Sequence, residues 1–301
     1  MRIDLQIGGY HIRMDEPEGH TCGKWPIYPY DSFLPPADQS PDIHLTVHVV
    51  RRLPEIPHGA LHFDTGQGFW KLYEAGPENM MECIDPKALT VRSRTVLSRD
   101  YSSGDVWICS QPSRQKQQLN WKPQYVLNPI AEVCLVTRLA RDGGLLLHAA
   151  GVLTEHGGWV FSGPSGAGKS TMSDFFTARG ASVLSDERII IRKIDGEFSI
   201  FGTPWPGAGR LARNQQAPLT AFHCIAHGQG AHAMHPMSPH AVSSLVLPQS
   251  FLPHWDRNAM DRTLETLGEL IDQIGAFQLS FVKNGDIVAF LEDYHLSVAV
   301  P

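Results

Sequence analysis

No apolar run in this chain reaches the roughly 20 residues that span a bilayer, and its start carries no charged-then-apolar leader; residues 1–7, MRIDLQI, alternate like a strand instead. The expectation is a cytoplasmic protein with no membrane partner. Basic residues are in deficit: 25 Lys and Arg stand against 31 Asp and Glu, a formal net charge of −6. A nucleic-acid backbone calls for a basic face, so that class of partner is not expected. Cysteine is sparse. Cys22, Cys83, Cys109, Cys134 and Cys224 are scattered and form no CxxC pair, which points to reduced thiols and away from a disulfide framework. Internal repeats are also missing, and 42% hydrophobic residues over 301 positions supply one large core or two modest ones.

What is present divides near residue 125. The first part is β-rich: Ile43 to Val49 alternates at period two, and the runs 60–63 and 68–73 flank Asp64-Thr65-Gly66-Gln67 as a hairpin. Shorter strands are expected at 88–92 and 106–109, and prolines such as Pro26, Pro29, Pro35 and Pro36 break any longer helix. From Asn128-Pro129, read as an N-cap and first helical position, apolar residues recur at helical spacing up to Gly143-Gly144. An apolar strand (145–152), a Gly157-Gly158 turn, a second strand (159–161), a glycine-rich loop, a helix from Lys169 to Arg179 and a strand ending at Ser185-Asp186-Glu187 follow. The expected domains are therefore residues 1–125, an accessory or acceptor-recruiting unit, and residues 126–301, an α/β unit.

The loop Gly163-Pro164-Ser165-Gly166-Ala167-Gly168-Lys169-Ser170 matches GxxxxGK[ST]. Glycines let successive backbone N–H groups turn inward around an anion, and the following helix aims its positive end at the same point. Lys169 can reach the outer phosphates and the Ser170 hydroxyl can ligate Mg²⁺; with Thr171, residues 163–171 form the expected nucleotide-phosphate site. Accidental matches arise on the order of once in a hundred chains of this size, and here the pattern lies between an apolar strand and an amphipathic helix. Transfer of a phosphoryl group also needs a proton acceptor. Asp186-Glu187, at the end of the next strand, is the candidate pair, one carboxylate for the metal and one for an acceptor hydroxyl; an ordinary metal-holding acid pair is the alternative.

The succession His148, GPSGAGKS, Arg179-Gly180 and Asp186-Glu187 resembles the HPr kinase/phosphorylase family, whose pattern is a His-bearing strand, a GxSGxGKS loop, a helix ending in Arg-Gly and a strand ending in paired acids. The match is strong over about 40 residues and loose over 125–301. The resemblance implies an α/β P-loop kinase domain of the HPr kinase type, a mixed sheet with flanking helices, preceded here by the β-rich domain. It implies Asp186 as general base, Ser170 and Glu187 as Mg²⁺ ligands, Lys169 and the loop amides on the β- and γ-phosphates of ATP, and His148 lining the site. Two departures stand out. His148-Ala149 replaces the family's His-Gly, and the Glu-Val-Arg glycine signature has no counterpart, so neither HPr as substrate nor phosphorolysis is implied. The chain is more similar to diverged HPr-kinase-like proteins, including kinases of a lasso-peptide precursor's terminal serine.

Remaining features have mainly structural readings. Arg210, Arg213 and Trp205 lie in a Gly/Pro-rich loop, GTPWPGAGRLARN, where they could face a phosphoryl group or an acceptor. His223, Cys224, His227, His232, His235 and His240 do not show tetrahedral zinc spacing. Helices are expected from Ser238-Pro239 to Leu247 and from Asp256 to Ile274. The expected function is an Mg-ATP-dependent kinase acting on a hydroxyl, foremost a serine of a peptide or protein such as a precursor peptide, in a chain capable of homo-oligomerising. The alternatives are a small-molecule hydroxyl kinase and a nucleotide-binding regulatory protein without turnover.

Overall fold

The computed structural model describes residues 2–15, 25–36, 39–66, 68–110, 122–228 and 230–298. Backbone contacts divide the chain into one unit of Met1–Arg141 with Pro253–Met260, and a second of Asp142–Leu252 with Asp261–Pro301. Among the described residues, no helix is long and apolar enough to cross a membrane.

Among the described residues, the first unit has eight strands: β1 (Arg2–Ile7), β2 (Tyr10–Asp15), β3 (Ile43–Val50), β4 (Leu61–Asp64), β5 (Trp70–Ala75), β6 (Glu78–Ile84), β7 (Val91–Leu97) and β8 (Ser103–Cys109). They are ordered β1-β2-β3-β8-β7-β6-β5-β4, with β3 parallel to both neighbours and the other pairs antiparallel. Period-two patterning decides which side is buried: Ile3, Leu5 and Ile7 of β1 and Ile43, Leu45 and Val47 of β3 all point into the core. The hairpin expected around Asp64 joins β4 to β5, with the Gly66 N–H donating to the Asp64 carboxylate at 2.9 Å; Gln67, like Cys22, lies outside the described residues.

The structure alters the sequence reading at three places in this unit. The strand expected at 88–92 starts only at Val91, because the Asp85 carboxylate accepts from the Lys87 and Ala88 amides and Leu89 takes φ +55°, forming a turn. Helical turns already begin at Gln124–Val126 (α1), and after Asn128, which is extended at φ −128° and ψ 113°, α2 runs over Glu132–Arg141. Asn128 does not cap it, since its side-chain oxygen is buried without a hydrogen-bond partner. The domain boundary moves from 125 to Arg141/Asp142, and Pro253–Met260 returns to the first unit. The reason is visible in α2: Trp255 Nε1 donates to Thr137 Oγ1 at 2.9 Å, and Arg138 donates to the Asp100 carbonyl at 3.4 Å.

The second unit comprises β9 (Gly144–Thr154), β10 (Gly157–Ser162), α3 (Lys169–Ala178), β11 (Ser182–Ser185), β12 (Arg188–Ile194), β13 (Glu197–Gly202), β14 (Gln216–His227), β15 (Ala233–Pro236), α4 (Pro239–Val246), α5 (Arg257–Ile274, whose first turn belongs to the other unit), β16 (Phe277–Phe281) and α6 (Asp286–Val298). Two long strands organise it. One half of β9 pairs with β12 and the other with β10 and β11, while β14 pairs in turn with β13, β10 and β16. Strands β9, β12, β13, β14 and β10 therefore close a ring of pairings. Alternation sorts the apolar residues to two faces: Trp159 and Phe161 of β10 pack with Phe176 of α3 and Leu291 of α6, and Val160 packs with Phe222, Val246 of α4 and Leu267 of α5. With both faces covered, β9 can carry the continuous apolar run read in the sequence. The unit is a mixed α/β fold.

Candidate functional site

Strand β10 ends at Ser162, and α3 opens at Lys169, so the glycine-rich loop is a strand-to-helix turn held from both sides. Gly168 takes φ +111°, a region that side chains other than glycine rarely adopt, and a Cβ there would lie 2.6 Å from the Phe281 ring. Pro164, Ser165, Gly166 and Ser170 are exposed. The amides of the turn and the positive end of α3 thus border solvent, an arrangement that attracts an anion. Lys169 is only 7% exposed, and its ammonium group donates to the Gly163 carbonyl at 2.8 Å and the Pro164 carbonyl at 3.2 Å. Burial lowers its pKa, opposed by the charge of Glu187.

His148 lies on β9 directly opposite Arg188 of β12, and the Ala149 amide donates to the Glu187 carbonyl at 3.1 Å. This pairing sets His148 Nδ1 3.2 Å from Glu187 Oε1, with the side chains 26% and 36% exposed. Burial pushes the His148 pKa down; the positive charges of Lys169 and Arg188 push the same way and Glu187 opposes them. His148 is therefore a neutral imidazole at pH 7, able to accept or donate one hydrogen bond at each ring nitrogen. Lys169, Glu187 and His148 form one electrostatic cluster.

Asp186 differs from its neighbour. It is 1% exposed, and its carboxylate accepts from the amides of Gly207 (2.9 Å), Gly209 (2.7 Å) and Leu211 (3.3 Å). The loop bends close around it: a Cβ on Gly209 would stand 2.7 Å from Asp186 Oδ2. In this conformation Asp186 anchors the loop of residues 206–211, and Glu187 is the acid of the pair that reaches solvent. Sequence reasoning paired the two acids with the phosphate loop and missed this anchor. The signal for it was present in the glycines at alternate positions 207 and 209, which permit close backbone approach to a carboxylate.

The same loop places Trp205 inside, 7% exposed, with the Arg188 guanidinium 5.9 Å from its ring centre, so it is not a surface platform for a ligand. Arg213 is exposed while its amide donates to the Leu184 carbonyl at 2.9 Å, and Arg210, also exposed, takes φ +54°. The histidine-rich segment is not one cluster. His223 is wholly buried, its Nδ1–H donating to the Val160 carbonyl at 3.0 Å and its Nε2 accepting from His295 Nε2 at 2.9 Å, whereas His227 is exposed. No group of three or more His, Cys, Asp or Glu able to hold a metal occurs among the described residues.

Beside the phosphate loop lies a cavity of 420 Å³ bounded by Pro164–Ala167, the end of β14 from Cys224 to His227, Leu245 and Gln278. Its walls are largely apolar, with the Gln278 amide and the His227 imidazole as polar edges. No protein-family model matches the chain, and a search of curated proteins returns no match.

Proposed function

We propose that this protein is an Mg-ATP-dependent kinase with a P-loop kinase domain of the HPr kinase type, which transfers the γ-phosphoryl group to a hydroxyl, foremost a serine of a peptide or protein. One observation carries the reading: the loop of residues 163–168 joins β10 to α3 with its amides bordering solvent, and Lys169, His148 and Glu187 converge beside it. The loop amides and Lys169 bind the β- and γ-phosphates, for which Lys169 exchanges its loop carbonyls. The largely apolar cavity next to the loop takes the purine, with Gln278 at its edge. The hydroxyl of Ser170 and the carboxylate of Glu187 are an oxygen-only donor set that fits Mg²⁺. When bound, that ion would neutralise phosphate charge.

In transfer, the acceptor oxygen forms a bond to the γ-phosphorus, the bond to the β–γ bridging oxygen breaks with ADP leaving, and the hydroxyl proton passes to a carboxylate. Asp186 does this only in a state in which residues 207–211 have released it. Glu187, which pairs with His148 at 3.2 Å and reaches solvent, is the alternative acceptor of the proton, in which case it would not also hold the ion. Assaying phosphorylation of a serine-containing peptide mixture, with nucleotide binding measured in parallel, separates the two. Loss of transfer with retained binding in Asp186→Asn alone assigns the proton to Asp186; the same result in Glu187→Gln alone assigns it to Glu187. Full-rate transfer in both variants contradicts the chemistry proposed for the acid pair.

The capture of Asp186 by three amides also favours a second reading, a nucleotide-binding regulatory protein without turnover. ATP binding with no ADP formed across peptide and small-molecule acceptors would establish it.

A further inference from the structure

The first unit carries a cavity of 370 Å³ that the kinase reading does not use. Its wall combines apolar Trp25, Leu34 and Pro35 with polar Arg2, Asp4 and His11. The polar residues are one connected cluster on β1 and β2. The Asp4 carboxylate accepts from Arg13 Nε at 2.9 Å, from Arg2 Nε at 2.6 Å and from His11 Nε2 at 2.6 Å. Burial raises the Asp4 pKa, but these hydrogen bonds outweigh it and hold the carboxyl below its usual range. The main chain of His11 is fixed as well: its amide donates to the Asp42 carboxylate and its carbonyl accepts from the Asp42 amide, both at 2.8 Å.

One atom of this cluster is left over. His11 is 1% exposed, and its Nδ1 is buried with no hydrogen-bond partner among the described residues. A carboxylate only accepts, so the proton on Nε2 faces Asp4. Nδ1 is then an unfilled acceptor in the neutral imidazole and an unfilled donor in the imidazolium. Buried polar atoms without partners are few in native proteins, and one belonging to a cavity wall marks a place for a ligand atom. A hydroxyl both donates and accepts, so it fills that place in either state.

The apolar residues set the rest of the ligand. Trp25 packs on the buried Tyr30 with ring centres 4.9 Å apart, and the Gln6 amide donates to the carbonyl of the fully buried Phe33 at 2.6 Å, tying the segment before Leu34 to β1. Leu34 itself stays 53% exposed, an apolar side chain left for a ligand to cover. The volume lies within the range of small-molecule sites, about 300–1,000 Å³.

We propose that this cavity binds a small molecule carrying a hydroxyl on a ring with an apolar face, a sugar or a phenol, the hydroxyl meeting His11 Nδ1 and the ring packing against Trp25 and Leu34. The inference does not rest on kinase activity or on the phosphate loop.

Site-resolved NMR of the full chain tests it, following the His11 ring nitrogens and the Trp25 indole N–H while p-cresol, glucose or galactose is added at millimolar concentrations. Saturable shifts of both signals are expected with at least one probe. Shifts with p-cresol alone assign a phenol, shifts with a sugar alone assign a sugar, and shifts with both assign the shared hydroxyl chemistry. Toluene, which keeps the ring and lacks the hydroxyl, is expected to bind about tenfold or more weakly than the active probe, the scale of one lost hydrogen bond. His11→Phe, read at the Trp25 indole, is expected to weaken the active probe by a similar factor, and Leu34→Asp, at an exposed position, to weaken it in a folded chain. Absence of shifts with all three hydroxylated probes, toluene binding as tightly as the active probe, or unchanged affinity in His11→Phe would overturn the proposal.

Discussion

Single residues here work through close approach. Gly209 brings a backbone amide within 2.7 Å of the Asp186 carboxylate, and a methyl group there would stand only 2.7 Å from the same oxygen, inside van der Waals contact. Gly209→Ala is expected to lower stability by about 1–3 kcal/mol, the usual cost of overpacking, seen as a lower urea midpoint; an unchanged midpoint would mean the loop does not hold Asp186 this way in solution. His223 shows the opposite case of a polar group sealed in a core. Burial and the neighbouring His295 take its pKa from 6.5 to about 3. Between those values the unfolded chain binds a proton that the folded chain refuses, so stability falls as pH drops through this window. His223→Phe loses two hydrogen bonds and is less stable at pH 7, but its stability declines less between pH 7 and pH 4 than that of the native chain, measured by urea unfolding at each pH. Parallel declines would contradict the burial of a neutral imidazole.

At the scale of elements, legibility followed distance along the chain. The turn from β10 to α3 was readable because strand, loop and helix are contiguous and each has a local signature: an apolar run, glycines, then amphipathic spacing. The N-cap of α4 was readable too; Ser238 Oγ accepts from the Ala241 amide at 3.4 Å, ahead of Pro239. The anchor of Asp186 was not, because its donors lie 21 to 25 residues away and reach it only when residue 212 bridges back to Ser185. The domain boundary was misplaced for the same reason, since α2 is bound by Trp255 from 118 residues further on. Helix α5 offers an element-level test. Gly268 sits within it, has no positive φ, and a Cβ there meets nothing within 4 Å. Gly268→Ala should therefore stabilise the chain by about 0.5–1 kcal/mol through helix propensity alone, raising the urea midpoint; destabilisation would mean that this face of α5 is covered.

For the molecule as a whole, the proposed kinase reading makes nucleotide part of the stability balance. A ligand that binds the folded chain only adds RT ln(1 + [L]/Kd), about 2.7 kcal/mol at a hundredfold excess over Kd, so Mg-ATP should raise the melting temperature in a concentration-dependent way. The most direct measurement is isothermal titration of Mg-ATP into the full chain and into Lys169→Met. The expected result is one nucleotide bound per chain, with affinity about tenfold or more weaker in the variant, the equivalent of ~1.4 kcal/mol. No heat of binding in the native chain, or the same affinity in both proteins, would contradict a polyphosphate seated on the loop at the head of α3.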